Sequence, residues 1–439
     1  MPKDHAGALA ELRALLGDRL VATDAARDAH ARDEAHLPPA RPDAVAFPRT
    51  TEEVAEIVRL CAAHRCPVVA WGAGTSLEGH VIPARGGVTL DMSRMDRLIE
   101  VAEADLLAVV QPGLTRARLN AALRDRGLMF PVDPGANASL GGMASTRASG
   151  TTAVRYGTMR ENVLALEVVL ADGRVIRTGS RARKSSAGYD LTHLFVGSEG
   201  TLGIMTELTL RLHGRPEAVS AATCAFQTIE GAVDAVILAM QMGLPLARVE
   251  LLDEVQMRGL ALHAPELGLP EHPHLFLEFH GTEAGVAETA RTFGALAEDH
   301  GGAGFDWATR EEERNRLWRA RHQAFYAAKA LRPGCEGFVT DACVPISALA
   351  PAIAETRAAI AEAGLLAPLV GHVGDGNFHL LVLIEPGNAA ELAAAQRLAD
   401  RVARIALAHR GTVTGEHGIG AGKRKFMAAE HGEAWDVMG

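Results

Sequence analysis

The chain has 439 residues, a formal net charge of −10, 48% hydrophobic and 22% charged residues. That length predicts two or three domains, and that composition is that of a folded globular protein, not a disordered one. The acidic balance leaves no basic footprint for nucleic acid.

In chain order, residues 6–16 read as a short amphipathic helix stopped by Gly17, followed by a polar lead-in through Pro38, Pro39 and Pro42. Residues 45–47 form a short strand. Thr50-Thr51-Glu52-Glu53 predicts a capping box, opening a helix that runs to about Arg65 and is followed by a buried strand over 67–71. Then comes the loop Gly72-Ala73-Gly74-Thr75-Ser76-Leu77-Glu78-Gly79-His80. A Gly-rich loop after a buried strand offers bare backbone N–H groups to a phosphate; the ordinary alternative is a tight turn. It is not a Rossmann fingerprint, because the third glycine would fall on Leu77, and no Gly-Lys-Ser/Thr follows to make a Walker loop.

Strands follow near 88–91 and 106–111, and a helix runs from a cap at Thr115 to Arg126, closed by Gly127. Residues 131–157 are rich in small side chains with little apolar period. A long irregular stretch of that kind is usually functional or disordered, and its composition suggests backbone packed against a large ligand. Residues 162–178 read as a hairpin turning at Asp172-Gly173, and a strand over 205–212 ends before Pro216, where a domain boundary is placed.

The second half has another rhythm. Strand 218–226, helix 229–242, strands 247–252 and 274–280, helix 283–300 and strand 303–307 give β-α-β-β-α-β. After a long helix over 310–331 the order repeats: strand 337–344, helix 347–363, strands 368–373 and 377–384, helix 388–410 and an extended piece 411–414. Two ferredoxin-like units sharing one antiparallel sheet are expected. Residues 423–438 look helical and are expected to return to the first domain. The expected division is a helical lead-in over 1–37, a first domain over 38–215, a second over 216–420 and a C-terminal helix over 421–439.

The chemistry centres on His372-Val373-Gly374-Asp375-Gly376-Asn377-Phe378-His379, flanked by apolar runs. Asp-Gly between such runs predicts a hairpin with a two-residue turn. Gly374 would then pair with Asn377, Val373 with Phe378, and His372 with His379, on one face about 5 Å apart. Thr414-Gly415-Glu416-His417-Gly418 adds a carboxylate and a third imidazole. Two His and one Glu commonly hold zinc or a similar ion; a His pair on a hairpin is also often structural.

The five cysteines, Cys61, Cys66, Cys224, Cys335 and Cys343, make no Cys-x-x-Cys pair and suit buried thiols in a reducing compartment. No apolar run reaches the length of a membrane span, and residues 1–20 lack a signal-peptide core. A cytoplasmic location, with peripheral membrane contact open, is the expectation.

Residues 71–80, 131–157, 184–191, 196–204, 372–379 and 414–420 together resemble the FAD-binding oxidoreductases of the vanillyl-alcohol-oxidase (PCMH) type. Within these, Leu317-Trp318-Arg319-Ala320-Arg321-His322, Arg332-Pro333-Gly334-Cys335 and Thr340-Asp341-Ala342-Cys343-Val344-Pro345 resemble the cytochrome-linked D-2-hydroxy-acid dehydrogenases. The resemblance implies an α+β fold: a two-part FAD-binding domain plus a cap domain whose antiparallel sheet is built of ferredoxin-like units. It implies non-covalent FAD, with Trp71, Gly72, Ala73, Gly74, Thr75, Ser76, Leu77, Gly79 and His80 at the pyrophosphate. Asp133, Pro134, Gly135, Gly141, Gly142, Thr146, Ser149, Gly150, Val154, Glu199, Ile204 and Asn377 would line the rest. Thr75 and Ser76 stand where covalent relatives carry a histidine.

The resemblance also implies a divalent metal, zinc or manganese, on His372, His379 and Glu416, with His417 as base and Arg321 on the substrate carboxylate, which a planar guanidinium suits. The implied reaction is oxidation of a small D-2-hydroxy acid, D-lactate first and glycolate or D-2-hydroxyglutarate next, hydride passing to FAD. The acceptor would be a cytochrome, a quinone or a carrier flavoprotein, and a homodimer is open. Two features depart from the family: Arg147 stands where relatives have a small residue, and the chain stops at Gly439 before the usual Asn-Pro-Gly-Lys segment. A metal-dependent hydrolase or a non-catalytic flavin-binding subunit are the competing classes. The first leaves 72–79 and 131–157 without a role.

Overall fold

A computed structural model describes residues 4–439. The chain divides into two compact units: one holds 1–150, 157–215 and 416–425, the other 151–156, 216–415 and 426–439. The segment 421–439, expected as one helix, is a 3-10 turn (Arg424–Phe426) and two short helices (Met427–His431, Ala434–Met438), and it is shared between the units.

The first unit opens with α1 (His5–Leu16), which buries Ala8, Leu12 and Leu16 at one-turn spacing. A small sheet follows from β1 (Leu20–Val21), β2 (Ala44–Ala46), β3 (Val68–Trp71) and β4 (Val88–Asp91), in the order β1-β2-β4-β3, with β2, β4 and β3 parallel. Helix α2 (Thr51–Ala63) makes the crossover from β2 to β3. Thr50 caps it by accepting the Glu53 amide at 3.3 Å. The reciprocal half of the capping box does not form. The Glu53 carboxylate goes instead to Arg19, at 2.6 Å, and to the Arg49 amide, because a guanidinium is the stronger donor.

A second, antiparallel sheet holds β5 (Leu98–Ala102), β6 (Leu107–Val110), β7 (Val163–Val169), β8 (Val175–Gly179) and β9 (Ile204–Arg211), ordered β5-β6-β9-β7-β8. Strand β5 went unread in the sequence, where Glu100 interrupts the apolar pattern. The stretch 131–157 carries one helical turn at Leu140–Ser145 and another at Ala153–Tyr156.

The second unit is one eight-stranded antiparallel sheet. Its strands are β10 (Ala218–Phe226), β11 (Leu246–Leu252), β12 (His274–Gly281), β13 (Gly302–Ala308), β14 (Glu336–Val339), β15 (Ala342–Cys343), β16 (Leu369–His372) and β17 (Asn377–Ile384). The order β13-β10-β12-β11-β16-β17-β14, with β15 also on β17, joins two ferredoxin-like units edge to edge through β11 and β16. One face is predominantly apolar, with Val249, Leu251, Leu275, Leu277, Phe279, Leu369, Leu380 and Val382. It packs on four helices, Ile229–Gln241, Glu283–Asp299, Leu349–Ala363 and Ala389–Ala408. The other face carries polar residues among Leu252, Phe276 and Val370 and is covered by helices Glu254–His263, Glu311–His322 and Ala324–Ala330.

Three expected elements differ. The helix over 310–331 breaks at Gln323, whose ψ is 12°. The strand over 337–344 splits around Thr340 and Asp341, which turn their polar atoms toward β17. The piece 411–414 is no strand and makes only an isolated bridge, Thr412 to Cys343.

Candidate active site

The His hairpin does not turn at Asp375-Gly376 alone. Val373–Asp375 is a 3-10 turn and His372 pairs with Asn377, Gly371 with Phe378 and Val370 with His379. The reason is Val373, which is 0% exposed and draws the loop inward. Gly376 closes the turn at φ 76°, a conformation that costs glycine nothing. His372 and His379 are therefore diagonal rather than opposed, yet they stay on one face because the period of a strand is two. Their rings meet edge to face at 5.4 Å.

Each imidazole is held from behind. His372 Nδ1 lies 2.7 Å from Glu250 Oε1, and His379 Nδ1 lies 3.0 Å from the Thr340 carbonyl oxygen. Carboxylate and carbonyl oxygens only accept, so Nδ1 carries the proton in both rings and the lone pair sits on Nε2. That is the arrangement metal-ligating histidines adopt. Within the second unit, His372 and His379 thus present two imidazoles of one kind side by side. Asn377 spends its amide donors on Asp341, at 2.7 Å, and on the Ala342 carbonyl.

Glu250 is the residue the sequence reading missed. It is 0% exposed, stands opposite His372 across β11 and β16, and gives its second oxygen to Arg321 at 2.5 Å. Burial alone would raise its carboxyl; His372 and Arg321 outweigh this and hold it below the usual carboxylate range. The available signal was a glutamate inside the apolar run Val249, Leu251, Leu252, where an unpaired charge is costly. Arg321 reaches the same face from helix Glu311–His322. It is 9% exposed, and its buried Nε–H makes no hydrogen bond.

A second buried carboxylate stands on the neighbouring strand. Glu278 takes Arg248 at 3.2 Å and His280 at 2.7 Å; His280 Nδ1 in turn lies 2.7 Å from the Tyr156 hydroxyl. Arg248 also lies over the Trp318 ring at 4.7 Å. Val154, on the same helical turn as Tyr156, packs where a Gly374 Cβ would stand, 2.6 Å from that position.

In the first unit, the loop 72–80 leaves β3 at Trp71, which packs against the His30 ring at 4.7 Å. Gly72 comes so close to Ser139, the cap of Leu140–Ser145, that a Cβ would collide with its hydroxyl. Gly141, Gly142 and Thr146 lie on this same turn, and Gly150 packs on Asp133. Loop and turn thus meet at Gly72, against the Ser139 side chain. Pro134, Gly135, Ala73, Thr75, Ser76 and Leu77 are partly or fully exposed around it. Arg147 is exposed, with φ 52°.

Glu199 also adopts a left-handed φ of 54°. Its carboxylate accepts the amides of Ile419 and Gly420 at 2.7 and 2.9 Å and faces His80 Nε2 at 3.2 Å. Burial would raise its carboxyl, but His80 and these two amides hold it low. Ser149 Oγ donates to Glu416 Oε2 at 2.8 Å. Both residues, expected at the flavin, thus fix the segment that carries Glu416 and His417. Ile204 is 9% exposed within the core around α2.

Comparisons agree with this architecture. Residues 42–179 match the family model described as "FAD binding domain", and residues 215–439 match "FAD linked oxidases, C-terminal domain". A Danio rerio protein described as "Probable D-lactate dehydrogenase, mitochondrial" is 49% identical over 98% of this chain and 87% of its own. The Arabidopsis thaliana "D-lactate dehydrogenase [cytochrome], mitochondrial" is 43% identical over 98% and 76%. The Bacillus subtilis "Glycolate oxidase subunit GlcD" is 34% identical over 88% and 82%. The solved p-cresol methylhydroxylase matches with a TM-score of 0.77 at 20% identity, over 98% of this chain and 94% of that one, which establishes the fold. The first two relatives are named mitochondrial, so those names lend no support to the cytoplasmic expectation; among the described residues no helix is long and apolar enough to cross a membrane. The PCMH-type fold, the two family models in order and relatives aligned along most of both chains agree, and the chain belongs to the FAD-linked oxidases and is an FAD-dependent oxidoreductase.

Proposed function

We propose that the protein oxidises a small D-2-hydroxy acid, D-lactate foremost, to the 2-oxo acid, releasing two electrons and two protons. The observation that carries the reading is the buried Arg321, with an unspent Nε–H, on the same sheet face as two histidines whose lone pairs are fixed on Nε2. A guanidinium grips a carboxylate and the histidine pair marks the place for the hydroxyl, so the two ends of an α-hydroxy acid each have a partner. The relatives named D-lactate dehydrogenase support the substrate, and the glycolate oxidase relative keeps glycolate as the runner-up.

His372, His379 and Glu416 would hold a divalent ion, which when bound supplies Lewis acidity that lowers the hydroxyl pKa. Residues 72–80 and 131–150 would hold FAD, which would supply the acceptor for the electron pair. His417 receives the hydroxyl proton, a task an imidazole suits near neutral pH. Arg321 orients the acid by its carboxylate. The relative named for a cytochrome supports a cytochrome as the next electron acceptor.

The test is an anaerobic visible spectrum of the flavin-loaded protein. Bleaching by D-lactate and not by L-lactate is the expected result, followed by reoxidation on adding cytochrome c. A flavin that neither isomer bleaches, with glycolate bleaching it instead, would replace the substrate.

A further inference from the structure

We infer that Glu250 is the positioning residue of this site: one buried carboxylate that sets the histidine end and the arginine end together. The inference rests on the proposed reaction for its substrate half, whereas its histidine half stands alone.

The geometry is specific. Oε1 takes the His372 Nδ1–H at 2.7 Å and Oε2 takes Arg321 at 2.5 Å, and Glu250 itself is 0% exposed. The first contact chooses the tautomer and the ring plane of His372 and raises the basicity of Nε2. The second holds the guanidinium, leaving the Nε–H, which is buried and unbonded, available to a ligand. Both are charge-assisted, the kind of hydrogen bond that holds an angle as well as a distance. Because they share one carboxylate, the spacing between metal ligand and arginine is set by a single rigid group on the centre of a sheet.

A purely structural role explains this poorly. A buried ion pair gains little over well-packed apolar residues, since desolvation offsets its attraction. Here the strand neighbours Val249 and Leu251 already bury the opposite face. Glu278, with Arg248 and His280, shows the contrast: that carboxylate also bridges an arginine and a histidine, but its His280 is engaged on both nitrogens.

Glu250→Gln keeps the shape and can still accept from His372, but it presents an amide N–H to Arg321. Expected are a metal affinity about 10–100-fold weaker in titrations of the metal-free protein with Mn²⁺ or Zn²⁺ alone, and a KM for D-lactate raised about tenfold or more at saturating metal, kcat changing less. FAD content should be unchanged. The KM effect should disappear when the substitution is made in an Arg321→Ala background, whereas the metal effect should persist. Glu250→Asp, which retains the charge, should recover part of the metal affinity. A Glu250→Gln protein with wild-type metal affinity and KM overturns the inference. Failure of the wild-type flavin to be reduced by D-lactate would strike the proposed reaction instead, leaving the metal titration to judge Glu250.

Discussion

His379 meets His372 edge to face at 5.4 Å from a strand position two residues off the opposed one. Its ring plane is held by the Thr340 carbonyl. His379→Ala should therefore reduce metal binding at least 100-fold and abolish turnover, while FAD content, read from the flavin absorbance of the purified protein, stays at the wild-type level. Loss of FAD in parallel would mean that the histidine pair supports the fold rather than a metal.

Arg321 is predicted to read the substrate's carboxylate. Arg321→Lys keeps the charge but loses the planar fork, and kcat/KM for D-lactate should fall about 10–100-fold. The sharper measure is the preference for lactate over lactamide, which should be large in the wild type and collapse in Arg321→Ala. An unchanged ratio would remove Arg321 from the carboxylate.

Monocarboxylates should be preferred over dicarboxylates. Arg248, the neighbouring half-buried cation on that sheet face, is neutralised by the buried Glu278 and lies on Trp318. A second carboxylate would have to displace Glu278 from it. Expected is a kcat/KM for D-2-hydroxyglutarate about 100-fold below that for D-lactate, roughly the cost of breaking a buried charged pair. Equal rates on the two acids would contradict this.

Asp253 gives the stability a pH dependence. It is 2% exposed, caps helix Glu254–His263 through the Gln256 amide at 2.7 Å, and burial pushes its carboxyl up to about 7. A carboxyl raised in the folded state is neutral in both states at low pH. Its stabilising share is complete below about pH 4 and is lost as pH rises toward 7. The loss at pH 8 is up to about 4 kcal/mol. Asp253→Asn retains a good cap and should be more stable than wild type at pH 8 but not at pH 4, in denaturant unfolding at both values. An equal difference at both would reject the assignment.

How much was legible in the sequence follows from what each feature depends on. The ferredoxin-like order of the second unit was readable because short apolar runs, such as 275–277 and 380–384, are separated by helix-length stretches of small and charged residues. The hairpin register was not, because it turns on whether Val373 faces water or core, which one residue type cannot reveal. Glu250 was hidden for a similar reason. A lone glutamate in a strand gains meaning only when pairing sets it opposite His372 and a helix 71 positions away delivers Arg321. The Gly-rich loop and the small-residue stretch were visible as backbone that approaches something closely. That Gly72 packs on the Ser139 turn needed the tertiary contact.

The clamp of Glu199 on Ile419 and Gly420, with the Lys423 to Glu78 ion pair at 3.1 Å beside it, also sets a timetable for synthesis. Within residues 1–215 Glu199 has His80, but the Ile419 and Gly420 amides and the Lys423 ammonium come from 416–425. At about 5–20 residues per second a ribosome needs roughly 10–40 s to cover the intervening stretch. During that interval the nascent first unit holds Glu199 and Glu78 without their final partners. The unit should therefore stay open to solvent, and receptive to its dinucleotide, until residues 416–425 have been made, and a fragment ending at residue 215 should be markedly more sensitive to protease than the same residues within a chain that includes 416–425.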